Sequence, residues 1–188
     1  MNKQFFNINN TIKLSDILKI LDRSVITKKS MMKPTLVLDL DETLVHSSPR
    51  PSPTSSFQIY VRQQESGRVI PFYVSARPYL SQFLRSMAKV YRIVIFTASR
   101  NQYADKVIDR IDSGDYISTR FYRQDCTRGA SRGFAKNLSR LSKDLSRVVL
   151  VDNSSDSFAF QPDNCILIKS WYGVGEDTEL LDIIPASF

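Results

Sequence analysis

Apolar residues along this chain follow two rhythms, and the rhythms alternate. Three runs are continuous: TLVL, which stops before Asp39, RIVIF, which stops before Thr97, and RVVLV, which stops at Asp152. Unbroken aliphatic stretches of this length fit strands covered on both faces, as in a parallel sheet. Between them the spacing becomes helical. Leu80, Phe83, Leu84 and Met87 predict one helix, Ala104, Val107, Ile108 and Ile111 a second, and KNLSRLSKDL a third. Near the N-terminus Leu14, Ile17, Leu18 and Leu21 predict a short amphipathic helix over about residues 12–23. Strands alternating with helices argue for an α/β architecture, with parallel strands joined by crossover helices.

One segment departs from this alternation. SSPRPSPTSS after His46 reads as a loop, because proline cannot donate to a sheet ladder and serine competes for backbone hydrogen bonds. FQIYVRQQESGRVIPFYV then shows two β-rich runs around Ser66 and Gly67, a hairpin inserted between the first strand and the next helix. The organisation expected is an N-terminal extension, 1–32, and one domain, 33–188, with an insert over about residues 47–75. No repeat at solenoid spacing is visible.

Composition narrows the class. With 188 residues, 42% hydrophobic and 24% charged, the chain can bury one substantial core. It contains no apolar run long enough for a transmembrane helix and no apolar leader, so a protein of the nucleus or cytoplasm is expected. Cys126 and Cys165 lack CxxC spacing, which argues against structural zinc. The net charge of +7 favours polyanionic partners: nucleic acid, phosphoprotein or an anionic membrane. Basic residues concentrate in Arg120, Arg123, Arg128, Arg132, Lys136, Arg140, Lys143 and Arg147, a segment whose acids are Asp125 and Asp144.

The candidate chemistry lies where the apolar runs stop. Parallel strands share a direction, so Asp39, Thr97 and Asp152 should meet at one sheet edge, where ligands bind in open α/β folds. Leu40 separates Asp39 from Asp41, and a period of two turns both carboxylates toward one side. Crowded carboxylates repel unless something positive sits among them. A hard divalent cation, magnesium, held by Asp39 with Asn153 as a neutral oxygen donor, resolves the conflict.

DLDET (Asp39 to Thr43), FTAS (Phe96 to Ser99), the lysine of AKNLSRL and LVDNS (Leu150 to Ser154) resemble, in order, the motifs of haloacid-dehalogenase-superfamily phosphatases. LDLDETLVHS, RPYLSQFL, QYADKVID, SKDLSRVVLVDNS, QPDN and DTELLDIIP resemble the FCP/SCP group within it, the phosphatases of the RNA polymerase II C-terminal domain and their relatives. The resemblance covers roughly Lys33 to Pro185. It implies a HAD-like, Rossmann-type parallel sheet flanked by helices, with the hairpin insert as a small cap. It also implies that Asp39 is the nucleophile, Asp41 the general acid and base, and Thr97 and Lys136 the phosphoryl ligands. Magnesium would be held by Asp39, the Asp41 carbonyl and Asn153, Asp152 would orient Lys136, and Thr43 would hydrogen-bond Asp41.

Substrate selection is expected from the insert, where Phe57 and Tyr60, beside Ile59, Val69 and Phe72, either contact the substrate or form the hairpin's own core, and from Arg132; Arg77 is expected either to contact the substrate or to make a structural ion pair. His46 is expected to be structural. The activity implied is Mg2+-dependent phosphoserine and phosphothreonine hydrolysis on a phosphoprotein such as the polymerase tail, with no direct nucleic-acid contact. A polynucleotide 3'-phosphatase, a non-catalytic binding module and a lipid-phosphate hydrolase are the competing readings. Ser155 stands where the family usually has proline, and Asn137 where aspartate is common.

Overall fold

Each continuous apolar run is a strand of one parallel sheet in the computed structural model, which describes residues 33–128 and 133–184. Thr35–Leu38 (β1), Arg92–Phe96 (β5) and Val148–Asp152 (β9) lie in the order β9-β1-β5. Cys165–Leu167 (β10) and Ile117–Phe121 (β6) form the two edges, and every pairing is parallel. Chain order moves from β1 to one side through β5 and β6, then returns to the other side for β9 and β10. The β1/β9 boundary is therefore the switch point at which a cleft opens beyond the strand ends.

Burial explains the continuous apolar runs. Leu36, Leu38, Ile93, Ile95, Val149 and Val151 face one core cluster, while Val37, Val94, Phe96 and Leu150 face another. Both faces are covered, so apart from Thr35, Arg92 and Asp152 at their ends these strands present no polar side chain. The first face packs against the helices Leu80–Val90 (α1) and Asn101–Ile111 (α2), which bury the residues their helical spacing marked. The short helix Glu179–Ile183 (α3) closes the same face through Leu180 and Ile183.

The opposite face is covered differently from the expectation. KNLSRLSKDL does not form a helix; it contains one short 3-10 turn, Leu138–Arg140. Asn137 Oδ1 accepts from the Ser139 N–H, Ser142 Oγ accepts from the Asp144 N–H, and Asp144 Oδ1 accepts from the Ser146 N–H. These side chains satisfy the backbone locally and so compete with a helix, while Leu138, Leu141 and Leu145 still pack on the sheet. The amphipathic helix expected over about 12–23 lies outside the described residues.

The insert is larger than a hairpin. Val45–Ser48 (β2), Phe57–Arg62 (β3) and Val69–Ala76 (β4) form an antiparallel sheet in the order β2-β4-β3. Its tip reverses at Gly67, whose φ of 67° suits a residue without a Cβ. Register places Ile59 opposite Phe72 and Val61 opposite Ile70, so these side chains share one face, while Tyr60 opposite Pro71 points the other way.

The turn from β1 into β2 carries DLDET. Leu44 and Val45 N–H both donate to the Leu40 carbonyl (2.9 and 3.1 Å), and Glu42 takes a φ of 59°. Arg77 locks this turn in place. It is 1% exposed, its Nε and Nη2 grip Asp177 (2.8 and 2.7 Å), and it also donates to the carbonyls of Thr43 and Lys169 (2.9 and 2.8 Å). Arg77 is therefore a buried structural hub: of its two expected roles, the structural ion pair is the one it takes. Arg77→Met would strand the Asp177 carboxylate and two carbonyls, a loss of about 3–5 kcal/mol. Urea unfolding checks this; an unchanged midpoint would show that the hub carries no stability.

Candidate active site

The strand ends deliver the expected residues to one cleft. The Asp39 N–H donates to Val151 O (3.0 Å) and the Thr97 N–H to Phe121 O (3.0 Å), so parallel pairing continues one step past β1 and β5. Asp39, Asp41, Thr97, Lys136, Asp152 and Asn153 all line an open cleft of ≈ 800 Å³. Lys136 arrives from outside the sheet. It follows the two-residue strand Phe134–Ala135 (β8), which pairs with Thr127–Arg128 (β7), and its N–H donates to Ser157 O (3.1 Å).

Lys136 is 2% exposed and its ammonium bridges two carboxylates, Asp39 Oδ1 at 2.6 Å and Asp152 Oδ2 at 2.5 Å. Burial opposes its charge, but the two aspartates outweigh that and hold it above the usual lysine range. Asp39 feels the opposite imbalance. Burial pushes its carboxyl up to about 7; Lys136 pulls it down, and the neighbouring Asp152 and Asp41 add to the rise. One ammonium shared between two carboxylates leaves a negative charge uncompensated. Asp152 is fixed further by the Ser154 N–H on its Oδ1 (2.8 Å).

Thr43 departs from its expected role. Its hydroxyl lies 3.0 Å from Asp39 Oδ2 and 3.2 Å from Asn153 Oδ1, and it does not bond Asp41. The Asp41 carboxylate turns away toward α2, where Ser99 Oγ donates to Oδ2 (2.7 Å) and the Tyr103 hydroxyl to Oδ1 (2.6 Å). Thr97 Oγ1 accepts from the Ser99 N–H (2.9 Å), which fixes the FTAS turn against the cleft floor.

Residues 34–187 match the family model described as NLI interacting factor-like phosphatase. The chain belongs to this family. A probable C-terminal domain small phosphatase of Dictyostelium discoideum is 45% identical over 151 residues, covering 80% of this chain and 48% of that protein. The human carboxy-terminal domain RNA polymerase II polypeptide A small phosphatase 1 is 43% identical over 151 residues, 80% of this chain and 56% of the relative. The chain thus spans about half the length of the curated relatives it matches. Among solved structures, fission yeast RNA polymerase II CTD phosphatase Fcp1-R271A bound to beryllium fluoride superposes with a TM-score of 0.63 at 25% identity. That match covers 74% of this chain and 42% of Fcp1. The HAD-like parallel sheet expected from the motifs is the fold of this NLI interacting factor-like domain.

The residues fit a hard cation. Asp39 Oδ2 and Asn153 Oδ1 converge on one Thr43 hydroxyl, whose single proton can serve only one of them. Asn153 Nδ2 donates to Ser170 Oγ (2.9 Å), which turns the amide oxygen toward Asp39. Among the described residues no group of three His, Cys, Asp or Glu side chains is arranged to hold a metal. The cation would instead rest on a carboxylate, an amide oxygen and waters, the donor set magnesium accepts.

Register and packing decide between the alternatives for the insert. Phe57 and Tyr60 do not line the cleft. Phe57 packs against the core beneath the Arg110 guanidinium, whose Cζ is 5.0 Å from the ring centroid, and Tyr60 is on the outer face, 57% exposed. Ile59 and Val69 are likewise absent from the lining, whereas Val61, Ile70 and Phe72 belong to it. Arg132 lies outside the described residues. His46 pairs with Glu42 (Nδ1 to Oε1, 3.2 Å), in keeping with a structural role. Sequence reading assigned no role to Ser99, Tyr103 or Ser170. Ser99 and Tyr103 sit inside quoted motifs, but nothing local in their spacing reveals that both hydroxyls aim at Asp41.

The shared ammonium makes opposite forecasts for its partners. Lys136→Met would leave Asp39 and Asp152 facing each other unpaired and should cost about 3–5 kcal/mol. Asp39→Asn removes the surplus charge and should unfold no earlier than the parent protein in metal-free buffer. Thermal denaturation of the two variants in chelator tests both; equal destabilisation would contradict the charge imbalance.

Proposed function

We propose that this chain is a magnesium-dependent protein serine/threonine phosphatase working through an aspartyl-phosphate on Asp39. The observation that carries the reading is the Asp39 carboxylate at the cleft floor, gripped by Lys136 and Thr43 beside Asn153. When bound, magnesium supplies positive charge that lets a phosphoryl dianion approach the carboxylate. The rest is performed by the chain's own groups.

Asp39 attacks phosphorus as the bond to the serine oxygen breaks, and Asp41 gives that oxygen a proton. Water then attacks the phosphorus of the acyl phosphate and gives a proton to Asp41, the Asp39–phosphorus bond breaks, and phosphate leaves with both carboxyls restored. The Lys136 ammonium and the Thr97 hydroxyl stabilise the transferring oxygens. Ser99 and Tyr103 hold Asp41 clear of Asp39, which keeps the two carboxyls in different environments and separates their tasks. Substrates of the polymerase-tail type are supported by the C-terminal-domain phosphatases to which this chain is similar. The apolar wall of Val61, Ile70 and Phe72 would lie beside residues flanking the phosphoserine.

Asp39→Asn should abolish hydrolysis of a small aryl phosphate with the fold intact by circular dichroism. Asp41→Asn should slow hydrolysis of phosphoserine peptides, whose poor leaving group needs a proton, by about 10²–10⁴. Chelation should silence the protein and thiol alkylation should not. Phosphate release from polymerase-tail phosphopeptides, other phosphopeptides and 3'-phosphorylated DNA, measured in parallel, tests the substrate class. Turnover by Asp39→Asn, or a preference for the DNA end, would overturn the reading.

A further inference from the structure

The mouth of the cleft carries charges that the chemistry at its floor does not use. The tip of the insert contributes Arg62, Gln63, Gln64 and Glu65, and the start of α2 contributes Arg100 and Gln102. Both arginines line this mouth, Arg100 from the start of α2 and Arg62 from the Tyr60-facing side of β3, beside the surface of Val61, Ile70 and Phe72. Arg100 Nη1 reaches across to Glu65 Oε1 at 3.4 Å, and the two side chains remain 54% and 76% exposed. Arg62 Nη1 approaches the Gly67 carbonyl at 3.5 Å, the long limit for a hydrogen bond. Arg100 is also the N-cap of α2, whose first turn contains no acidic residue to offset the positive end of the helix dipole.

An ion pair this exposed is weak in water, and solvated partners exchange readily. A carboxylate borne by a ligand would gain the same contact, and a phosphate would gain a stronger, bidentate one, because the guanidinium fork matches its oxygens. We propose that Arg62 and Arg100 form a subsite for a negatively charged residue flanking the phosphoserine, either acidic or itself phosphorylated. Glu65 occupies the Arg100 side of that subsite until such a residue displaces it. The proposal rests on the phosphatase reading above, and it assigns specificity to residues outside the reacting centre. A peptide is favoured over a nucleic acid because the arginines flank an apolar wall suited to a neighbouring side chain, with Glu65 and three glutamines interrupting the positive charge that a polyanionic backbone would follow.

The test uses the whole chain with magnesium and three phosphoserine peptides that differ only beside the phosphoserine: neutral, glutamate-flanked and flanked by a second phosphoserine. Para-nitrophenyl phosphate gives the baseline. The acidic peptides should show kcat/KM about five- to tenfold above the neutral one, mostly through KM, as expected for charge-assisted contacts at a wet rim. A larger gain with the second phosphoserine would mark phosphate as the preferred flank. The double variant Arg62→Gln/Arg100→Gln should bring the three peptides to parity without changing the baseline, and Glu65→Gln should widen the preference.

Parity in the parent protein, or a preference that survives the double variant, overturns the subsite. An equal or larger gain with a 3'-phosphorylated oligonucleotide would also overturn it, because the rim would then read bulk polyanion. Affinities of the same peptides for Asp39→Asn, by fluorescence anisotropy, separate the two readings. Preference in binding without peptide turnover in the parent protein sinks the phosphatase assignment and leaves the subsite standing; turnover without preference sinks the subsite alone.

Discussion

The ammonium of Lys136, shared between Asp39 and Asp152 in a nearly dry floor, is the contact on which the arrangement depends. It sets the electrostatic state of the cleft by leaving the carboxylates in surplus, so the floor favours positive charge. It also sets a demand on the fold. The two aspartates sit at the ends of neighbouring strands, but the lysine comes from irregular chain, which must be fixed as firmly as a strand. The β7–β8 ribbon, the Lys136 N–H on Ser157 O and the buried Leu138 meet that demand.

The two faces of the sheet divide the work accordingly. Helices α1 and α2 give one face a regular, deeply packed cover. The other face is closed by turns whose polar side chains satisfy their own backbone, which frees that stretch to deliver a side chain at an angle no helix crossover would provide. The insert joins the system through Tyr103. Its hydroxyl contacts Ser47 at the end of the insert (2.6 Å), and its ring meets Phe72 edge-on with centroids 5.4 Å apart, while the same hydroxyl holds Asp41. Burial, followed by the Asp41 charge, keeps that phenol protonated far above its usual range. The insert is therefore mechanically continuous with Asp41.

Strand positions were legible because burial on both faces leaves an unmistakable run of aliphatic residues, and the polar stops followed from their shared direction. Asp39, Asp41, Thr97, Asp152 and Asn153 could be placed together on that basis, and Lys136 through the motif resemblance. Contacts set by tertiary distance were not legible. Thr43 lies four residues from Asp39 and two from Asp41, and only the fold decides which it bonds. Arg77 and Asp177 are 100 residues apart, and no local pattern announces their union. Phe57 and Tyr60 look equivalent in a list of aromatics, but strand parity sends them to opposite faces, and packing then takes both away from the cleft. In KNLSRLSKDL the leucine spacing imitated a helix, while the serines, asparagine and aspartate between them were the decisive signal.

The connection between β2 and β3 leaves from the outer side of the insert. Its Pro49–Thr54 portion is largely exposed, and it is tied down by Thr54 on Ser75 and by the Ser56 N–H on Val74 O. These anchors hold its C-terminal end, and the Arg50 N–H on Ser48 Oγ ties its start to β2. An exposed stretch held at both ends by the strands of the insert is where a change of chain length disturbs the least packing in this fold.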